Sequence, residues 1–286
     1  MIVVTGSAGF VGKHVVRQLL ATTGVQPLEL DRANGHDLLD IPLDRVLQGT
    51  TAIIHCAAHA DVRNNWSELG TIQRDNIEAT MRLLQAASLI PTLKNFVFIS
   101  TGAVYAGALG LQTEDDRCRA TSPYAASKLA SEAYVQAYAE KFGWRWCVTR
   151  PAACFGAGYH HGHVADFVRQ MRETGRIHAL DDGGSRKPAV HVEDLARVLV
   201  AAATSDRGPS GVLNVVGGAW GWRDTVRLMG AGLPVTWETR PTGWVGDSAT
   251  ATFDSGRLRE WFPDVMPSRS VHFGVQDALA SLGWPR

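Results

Sequence analysis

Tyr124 and Lys128, four residues apart in Ser122-Pro123-Tyr124-Ala125-Ala126-Ser127-Lys128, are of the types and spacing that can move a proton. Serine followed by proline reads as a helix start, and a spacing of four puts both side chains on one face of that helix. A free tyrosine ionises near pH ~10, too high to accept a proton at neutral pH. A nearby ammonium stabilises the phenolate and lowers that value, so the pair can act as base in one direction and acid in the other. The same spacing also arises by chance on amphipathic helices, so its meaning depends on what reagent the rest of the chain supplies.

The N-terminal segment supplies one. Gly6-Ser7-Ala8-Gly9-Phe10-Val11-Gly12 follows the apolar run Ile2-Val3-Val4-Thr5 and opens a helix with Val11, Val15, Val16, Leu19 and Leu20 expected inward. Gly6 permits a tight turn, Gly9 lets backbone N–H groups approach a pyrophosphate, and Gly12 lets helix and strand pack closely. The helix N-terminus then meets the phosphates with its partial positive charge. Asp31 ends a second strand, Leu28-Glu29-Leu30, where an acid hydrogen-bonds a ribose 2′-hydroxyl and repels a 2′-phosphate. That favours NAD. Arg32, of the type that accommodates a 2′-phosphate, keeps NADP as the alternative. The positive ring of an oxidised nicotinamide would also favour the Tyr124 phenolate.

Together these segments resemble the extended short-chain dehydrogenase/reductase family, the NAD-dependent epimerase/dehydratase group, and the resemblance covers nearly the whole chain. It implies cofactor contacts from Ala8, Phe10, Val11, Ser100 and Pro151 besides the glycines, Tyr124 and Lys128. Asp37-Leu38 is similar to a pair that touches adenine, although an aspartate there also suits a helix cap or turn. His55-Cys56-Ala57-Ala58 looks like a segment beside the cofactor, and Asn76 matches an asparagine on the fourth helix that is otherwise a capping or buried structural residue. Ser100-Thr101-Gly102-Ala103-Val104-Tyr105 resembles the family's S-[ST]-x-x-V-Y segment, which gives Thr101 the catalytic hydroxyl that holds the reacting oxygen beside Tyr124.

The resemblance also bears on the substrate. The family mostly handles nucleoside-diphosphate sugars, with cations on the diphosphate. Arg186 and Lys187, in the run to Asp194, and Arg240, in Arg240-Pro241-Thr242-Gly243, match such positions; each would otherwise be a solvated surface cation. His191 and Asp194 read as structural, orienting a turn into the next helix. Two departures matter. Members that dehydrate their sugar carry Asp-Glu after the threonine, whereas Gly102-Ala103 cannot move protons. In Arg150-Pro151-Ala152-Ala153-Cys154-Phe155-Gly156, Ala153 replaces an asparagine that commonly touches substrate.

The elements that must position these groups alternate. Ala52-Ile53-Ile54-His55, Phe96-Val97-Phe98-Ile99-Ser100 and Trp146-Cys147-Val148-Thr149 read as further strands. A helix is expected from about Asp75 to Ser88, with Ile77, Met81, Leu84 and Leu83 inward, and another from Tyr124 to Lys141. Continuous apolar strands separated by helices require a parallel sheet covered on both faces. The fold class is α/β: a Rossmann-type doubly wound parallel sheet with a smaller C-terminal substrate-binding lobe. Residues 1–150 are expected to form the NAD-binding part, with contributions from about 185–218, and residues 151–286 mainly the substrate-binding lobe. Trp220, Trp222, Trp237, Trp244, Trp261 and Trp284 crowd into that lobe.

A chain of 286 residues with 45% hydrophobic and 20% charged residues is ordinary globular material. Its formal net charge of +0 argues against nucleic-acid or membrane-surface partners, which need a basic excess. No apolar run approaches the ~20 residues of a membrane span, and the N-terminus does not read as a signal peptide. Cys56, Cys118, Cys147 and Cys154 lack metal-site spacing, so free thiols in a cytoplasmic protein are expected. His160, His161 and His163 lack an accompanying carboxylate or cysteine at ligand spacing, so no metal is expected and they line a pocket mouth instead. The leading functional expectation is an NAD-dependent 4-epimerase of a nucleotide sugar, acting as a homodimer. A ketoreductase of a nucleotide-linked keto-sugar shares every catalytic residue, and a non-catalytic dinucleotide sensor is the alternative of a different class.

Overall fold

Strand residues such as Val3, Ile53, Ile54, Phe96 and Phe98 are fully or almost fully buried in the computed structural model, because the central sheet is covered on both faces. The structure describes residues 1–60, 66–105, 110–179, 186–206, 208–238 and 252–285. In chain order the first half runs β1 (Ile2–Thr5), α1 (Phe10–Thr23), β2 (Leu28–Leu30), α2 (Leu43–Val46), β3 (Ala52–His55), α3 (Leu69–Ile72), a π-helical turn (Gln73–Glu78), α4 (Ala79–Ala87), β4 (Asn95–Ile99), β5 (Leu111–Gln112), α5 (Pro123–Phe142) and β6 (Arg145–Pro151). The rest is β7 (Ala153–Phe155), α6 (Gly162–Thr174), β8 (Ile177–Ala179), β9 (Arg186–His191), α7 (Val192–Thr204), β10 (Gly211–Val215), β11 (Gly218–Gly221), α8 (Trp222–Met229), β12 (Val235–Trp237), β13 (Thr252–Phe253), α9 (Gly256–Trp261) and α10 (Val271–Ser281).

Six strands form the main sheet in the order β10-β6-β4-β3-β1-β2. Every adjacent pair is parallel, as βαβ connections demand. The fold is thus α/β and Rossmann-like. Leu195, Val198 and Leu199 of α7 pack with Val15 and Leu19 of α1 over one face, while Leu83, Leu84, Val135 and Ala139 of α4 and α5 cover the other. A third core joins Val164, Phe167 and Val168 of α6 to Ala189, Trp220, Met229, Val275 and Leu279. There β7, β9 and β11 make a separate three-stranded sheet. Phe10 lies 5.3 Å from the ring of Tyr159, and His14 bonds the Ala157 carbonyl at 3.0 Å, so α1 touches the loop that follows β7.

Two helices differ from the sequence expectation. In α1, Gly12, His14, Val15 and Leu19 are buried, but Leu20 is 45% exposed. The inward stripe of positions three and four apart leaves Leu20 about 100° round the helix, facing water. The helical run expected from Asp75 begins at Leu69 and passes through the π turn. That wider turn carries an extra residue, so Asp75 and Asn76 both point inward with Ala79, Thr80, Leu83 and Leu84, while Ile77 and Met81 are only half-buried. Among the described residues no helix is long and apolar enough to cross a membrane.

Candidate active site

The glycine turn is built for close approach. Gly6 has φ 65°, and a Cβ on it would stand 2.6 Å from the Ala57 nitrogen. A Cβ on Gly12 would stand 2.0 Å from the Gly6 carbonyl oxygen, so turn and helix can pack only without it. Over Gly9 the sole neighbour within 4 Å of such a Cβ is the Gly6 oxygen, which leaves that side of the turn open. No side chain caps α1, and no acid lies in its first turn. Its first N–H groups and partial positive charge are therefore available to an anion, and the cradle fits a pyrophosphate.

Asp31 stands beside this turn. One carboxylate oxygen accepts from the Ala8 N–H at 3.0 Å and the other from the Ala33 N–H at 2.8 Å, which fixes the group at the end of β2. Arg32 turns towards Asp75, its Nη2 2.5 Å from Oδ2, with its Nε 3.6 Å from Asp37. Both carboxylates hold the guanidinium above its ordinary pKa. Asp37 accepts from the Leu39 N–H at 2.9 Å, closing a local turn over the buried Leu38. Asn76 is buried, accepting from the His59 N–H at 2.7 Å and donating to Ser127 at 2.9 Å. It thereby ties the segment after Ala57 and Ala58 to α5.

A chain of hydrogen bonds runs beneath these residues. Thr80 donates to the Asn76 carbonyl at 2.6 Å, so its oxygen accepts from His55 Nε2 at 2.8 Å. That accounting assigns the ring proton to Nε2 and leaves Nδ1 to accept from Thr5 at 2.6 Å. Thr5 in turn accepts from the Ala57 N–H at 3.2 Å. Every polar atom of this buried chain is satisfied by a neutral imidazole. Burial, with the nearby Lys128 charge, pulls the His55 pKa down to about 3.

Thr101 lies just past the end of β4, and α5 carries Tyr124 beside Thr101 and Lys128 over Phe98 of that strand. Ser122 caps α5 by accepting from the Ala125 N–H at 3.2 Å, and Pro123 fills its first turn. This start is what aims Tyr124 and Lys128. The Thr101 hydroxyl accepts from the Ala103 N–H at 3.1 Å and lies near enough to the Tyr124 phenol to act on its pKa. Burial pushes the Tyr124 phenol up to about 12, an effect the Thr101 hydroxyl partly opposes. Burial pulls the Lys128 ammonium down to about 8, against the opposing pull of Cys56 and Glu132. Its Nζ lies 4.4 Å from the centre of the Phe98 ring.

Sequence reasoning missed the polar layer behind this trio. Glu132, one turn beyond Lys128, pairs with Arg150 at 2.7 Å and accepts from the Ser100 hydroxyl. Arg150 donates to the Tyr105 oxygen at 2.7 Å, and Tyr105 donates to Asn214 at 2.9 Å. All of these residues are buried, so the network joins β4, α5, β6 and β10 around Thr101. The spacing of Lys128 and Glu132 on one helix face was the one local signal of it.

Of the expected substrate cations, Arg186 and Lys187 have partners outside this layer. Arg186 bonds Asp224 at 2.8 Å and the Ala219 carbonyl at 2.8 Å. Lys187 has its ammonium 5.7 Å from the Trp222 ring, and Arg240 lies outside the described residues. His160 and His161 are exposed. His163 stacks on Trp222 at 5.7 Å and bonds Thr225 at 3.0 Å. His191 caps α7 by accepting from the Glu193 N–H, and buried Asp194 accepts from the N–H groups of Ser268 and Arg269.

Residues 2–217 match the NAD dependent epimerase/dehydratase family. A dTDP-glucose 4,6-dehydratase of Streptomyces griseus is 31% identical over 76% of this chain and 74% of its own length. A UDP-glucose 4-epimerase of Mycolicibacterium smegmatis is 29% identical, over 94% of this chain and 95% of its own. Among solved structures, MoeE5 in complex with UDP-glucose and NAD superposes with a TM-score of 0.86 at 26% identity, covering 99% of this chain and 97% of that one.

Proposed function

Because the chain belongs to the NAD dependent epimerase/dehydratase family, and is thereby an enzyme with NAD as its cofactor, we propose that it is a 4-epimerase of a nucleoside-diphosphate sugar. NAD, when bound, supplies hydride acceptance from the sugar C4 and hydride return to its other face. The residues of the chain do the rest. The glycine turn from Gly6 to Gly12 and Asp31 hold and orient the dinucleotide, with Ala57, Ala58, Ser100 and Pro151 alongside. Tyr124 takes the proton of the C4 hydroxyl and later gives it back. A phenol at about 12 is neutral in neutral water, so it needs a cation to work as base. Lys128, near 8, is mostly protonated at neutral pH and supplies that charge from within the chain. Thr101, beside the same phenol, holds the reacting oxygen in line.

One observation carries the choice of epimerisation over dehydration. Gly102 and Ala103 after Thr101 carry no proton donor for the neighbouring carbons, and a Cβ at Gly102 would stand 2.4 Å from the Phe253 ring, so an acid there would have to displace that ring. The near full-length likeness to an epimerase supports the same reading. The ketoreductase reading shares all three residues and differs in cofactor balance. Incubating the NAD-loaded protein with UDP-glucose and UDP-galactose separates them: epimerisation interconverts the two sugars with no net change in reduced cofactor. Reduced cofactor changing in proportion to product would overturn the epimerase reading.

The substrate diphosphate falls to Lys187, Arg186 and Arg240 in this reading, and the domain division to residues 1–150, with 185–218, against the rest. A cytoplasmic homodimer belongs to the same proposal. Exposed Leu89 beyond α4, and Tyr134 and Phe142 on α5, give it an apolar face, and sedimentation at micromolar concentration tests it.

A further inference from the structure

We infer that Asp75, on the π turn before α4, excludes NADP by holding Arg32 away from the ribose 2′-position. The inference rests on the cofactor reading above and deepens it. An arginine directly after the β2 carboxylate is the residue type that would neutralise a 2′-phosphate. Here its charge is already committed. Arg32 Nη2 lies 2.5 Å from Asp75 Oδ2, and its Nε faces Asp37 at 3.6 Å. Asp75 is itself fixed, because its second oxygen accepts from Arg74 Nε at 2.8 Å and its side chain is only 4% exposed.

The position of Asp75 follows from the backbone. The π turn directs both Asp75 and Asn76 inward, and Asn76 is clamped to the His59 backbone and to Ser127. The carboxylate that holds Arg32 is therefore mounted on a segment with little freedom to swing away. Asp31, Asp37 and Asp75 outnumber Arg32 and Arg74 by one, so these five groups carry a net negative charge. A phosphate of charge about −2 would enter that field facing Asp31 and would meet, in Arg32, a guanidinium already held by two carboxylates. A 2′-hydroxyl meets no such penalty and can donate to the carboxylate.

The test reads affinity, by tryptophan fluorescence or calorimetry, for NAD and NADP added to the full chain without sugar. The wild-type protein is expected to prefer NAD. Asp75→Asn keeps the side-chain volume but removes the charge, and should improve NADP relative to NAD by at least about tenfold, roughly one charge-assisted hydrogen bond. In Asp75→Asn/Arg32→Ala that gain should vanish, because the freed guanidinium is its source. Asp37→Asn, on the surface turn, should give a smaller shift of the same sign and stands in if Asp75→Asn does not fold. Equal changes for both dinucleotides, a gain that survives loss of Arg32, or a wild type that binds both equally would overturn the inference. Since no turnover is read, such a failure is distinct from a failure of the epimerase reading, which shows only with a sugar substrate.

Discussion

Replacing Lys128 by methionine should abolish activity and yet stabilise the cofactor-free protein. Lys128 is 3% exposed, and its pKa falls from 10.5 to about 8 chiefly through burial. The unfolded chain therefore binds this proton more tightly than the folded one across that interval. Stability must then rise as pH increases from about 8 to 10.5, and the charged lysine is a net cost at neutral pH. At 1.36 kcal/mol per unit, the shift corresponds to about 3 kcal/mol at neutral pH. The ammonium also sits over Phe98, and losing that contact removes on the order of 1 kcal/mol. The net gain for Lys128→Met is about 2 kcal/mol, or a rise in Tm of roughly 4 °C for a chain of this size. Urea unfolding near pH 7 and near pH 9.5 measures it. The advantage over wild type should shrink to about 1.4 kcal/mol at the higher pH, where the folded lysine is already neutral and its charge no longer contacts Phe98. A variant that is less stable than wild type at pH 7, or an advantage that does not shrink with pH, would refute the reasoning.

Tyr124→Phe should keep dinucleotide affinity within a few-fold while lowering kcat by about 10²–10⁴, measured by single-turnover kinetics. Glu132→Gln leaves the Arg150 charge buried without its partner and should cost about 3–5 kcal/mol, whereas Glu132→Gln/Arg150→Met should recover much of that in a double-mutant unfolding cycle. His55 is buried neutral with its pKa lowered from 6.5 to about 3, so its contribution to stability is intact above pH ~6.5 and is lost as pH falls towards 3. Acid titration followed by circular dichroism should show a shallower loss in His55→Asn than in wild type over that window.

The parts of the fold that the sequence discloses are those set by short-range chemistry. The run Ile2–Thr5 ending in glycines, the apolar strands at Ala52–His55 and Asn95–Ile99, and the Ser122-Pro123 helix start each depend on a few adjacent residues. The π turn at Gln73–Glu78 escapes such reading, because one extra residue shifts the inward face without changing composition. The polar layer behind Thr101 escapes for a different reason. Arg150 meets Glu132 across 18 residues, and Tyr105 meets Asn214 across 109, so their pairing exists only once β4, β6 and β10 lie side by side. Arg32 is the sharpest case. By residue type it leaves the cofactor open, and only its partner Asp75, 43 residues on, shows how its charge is spent.

Whether hydride leaves C4 and returns to the same carbon is the central claim, and a deuterium label tests it most directly. A UDP-sugar deuterated at C4 should give its C4 epimer with the label retained at C4 and no net formation of reduced cofactor. Loss of the label to solvent, or its accumulation in released reduced cofactor, would contradict the account.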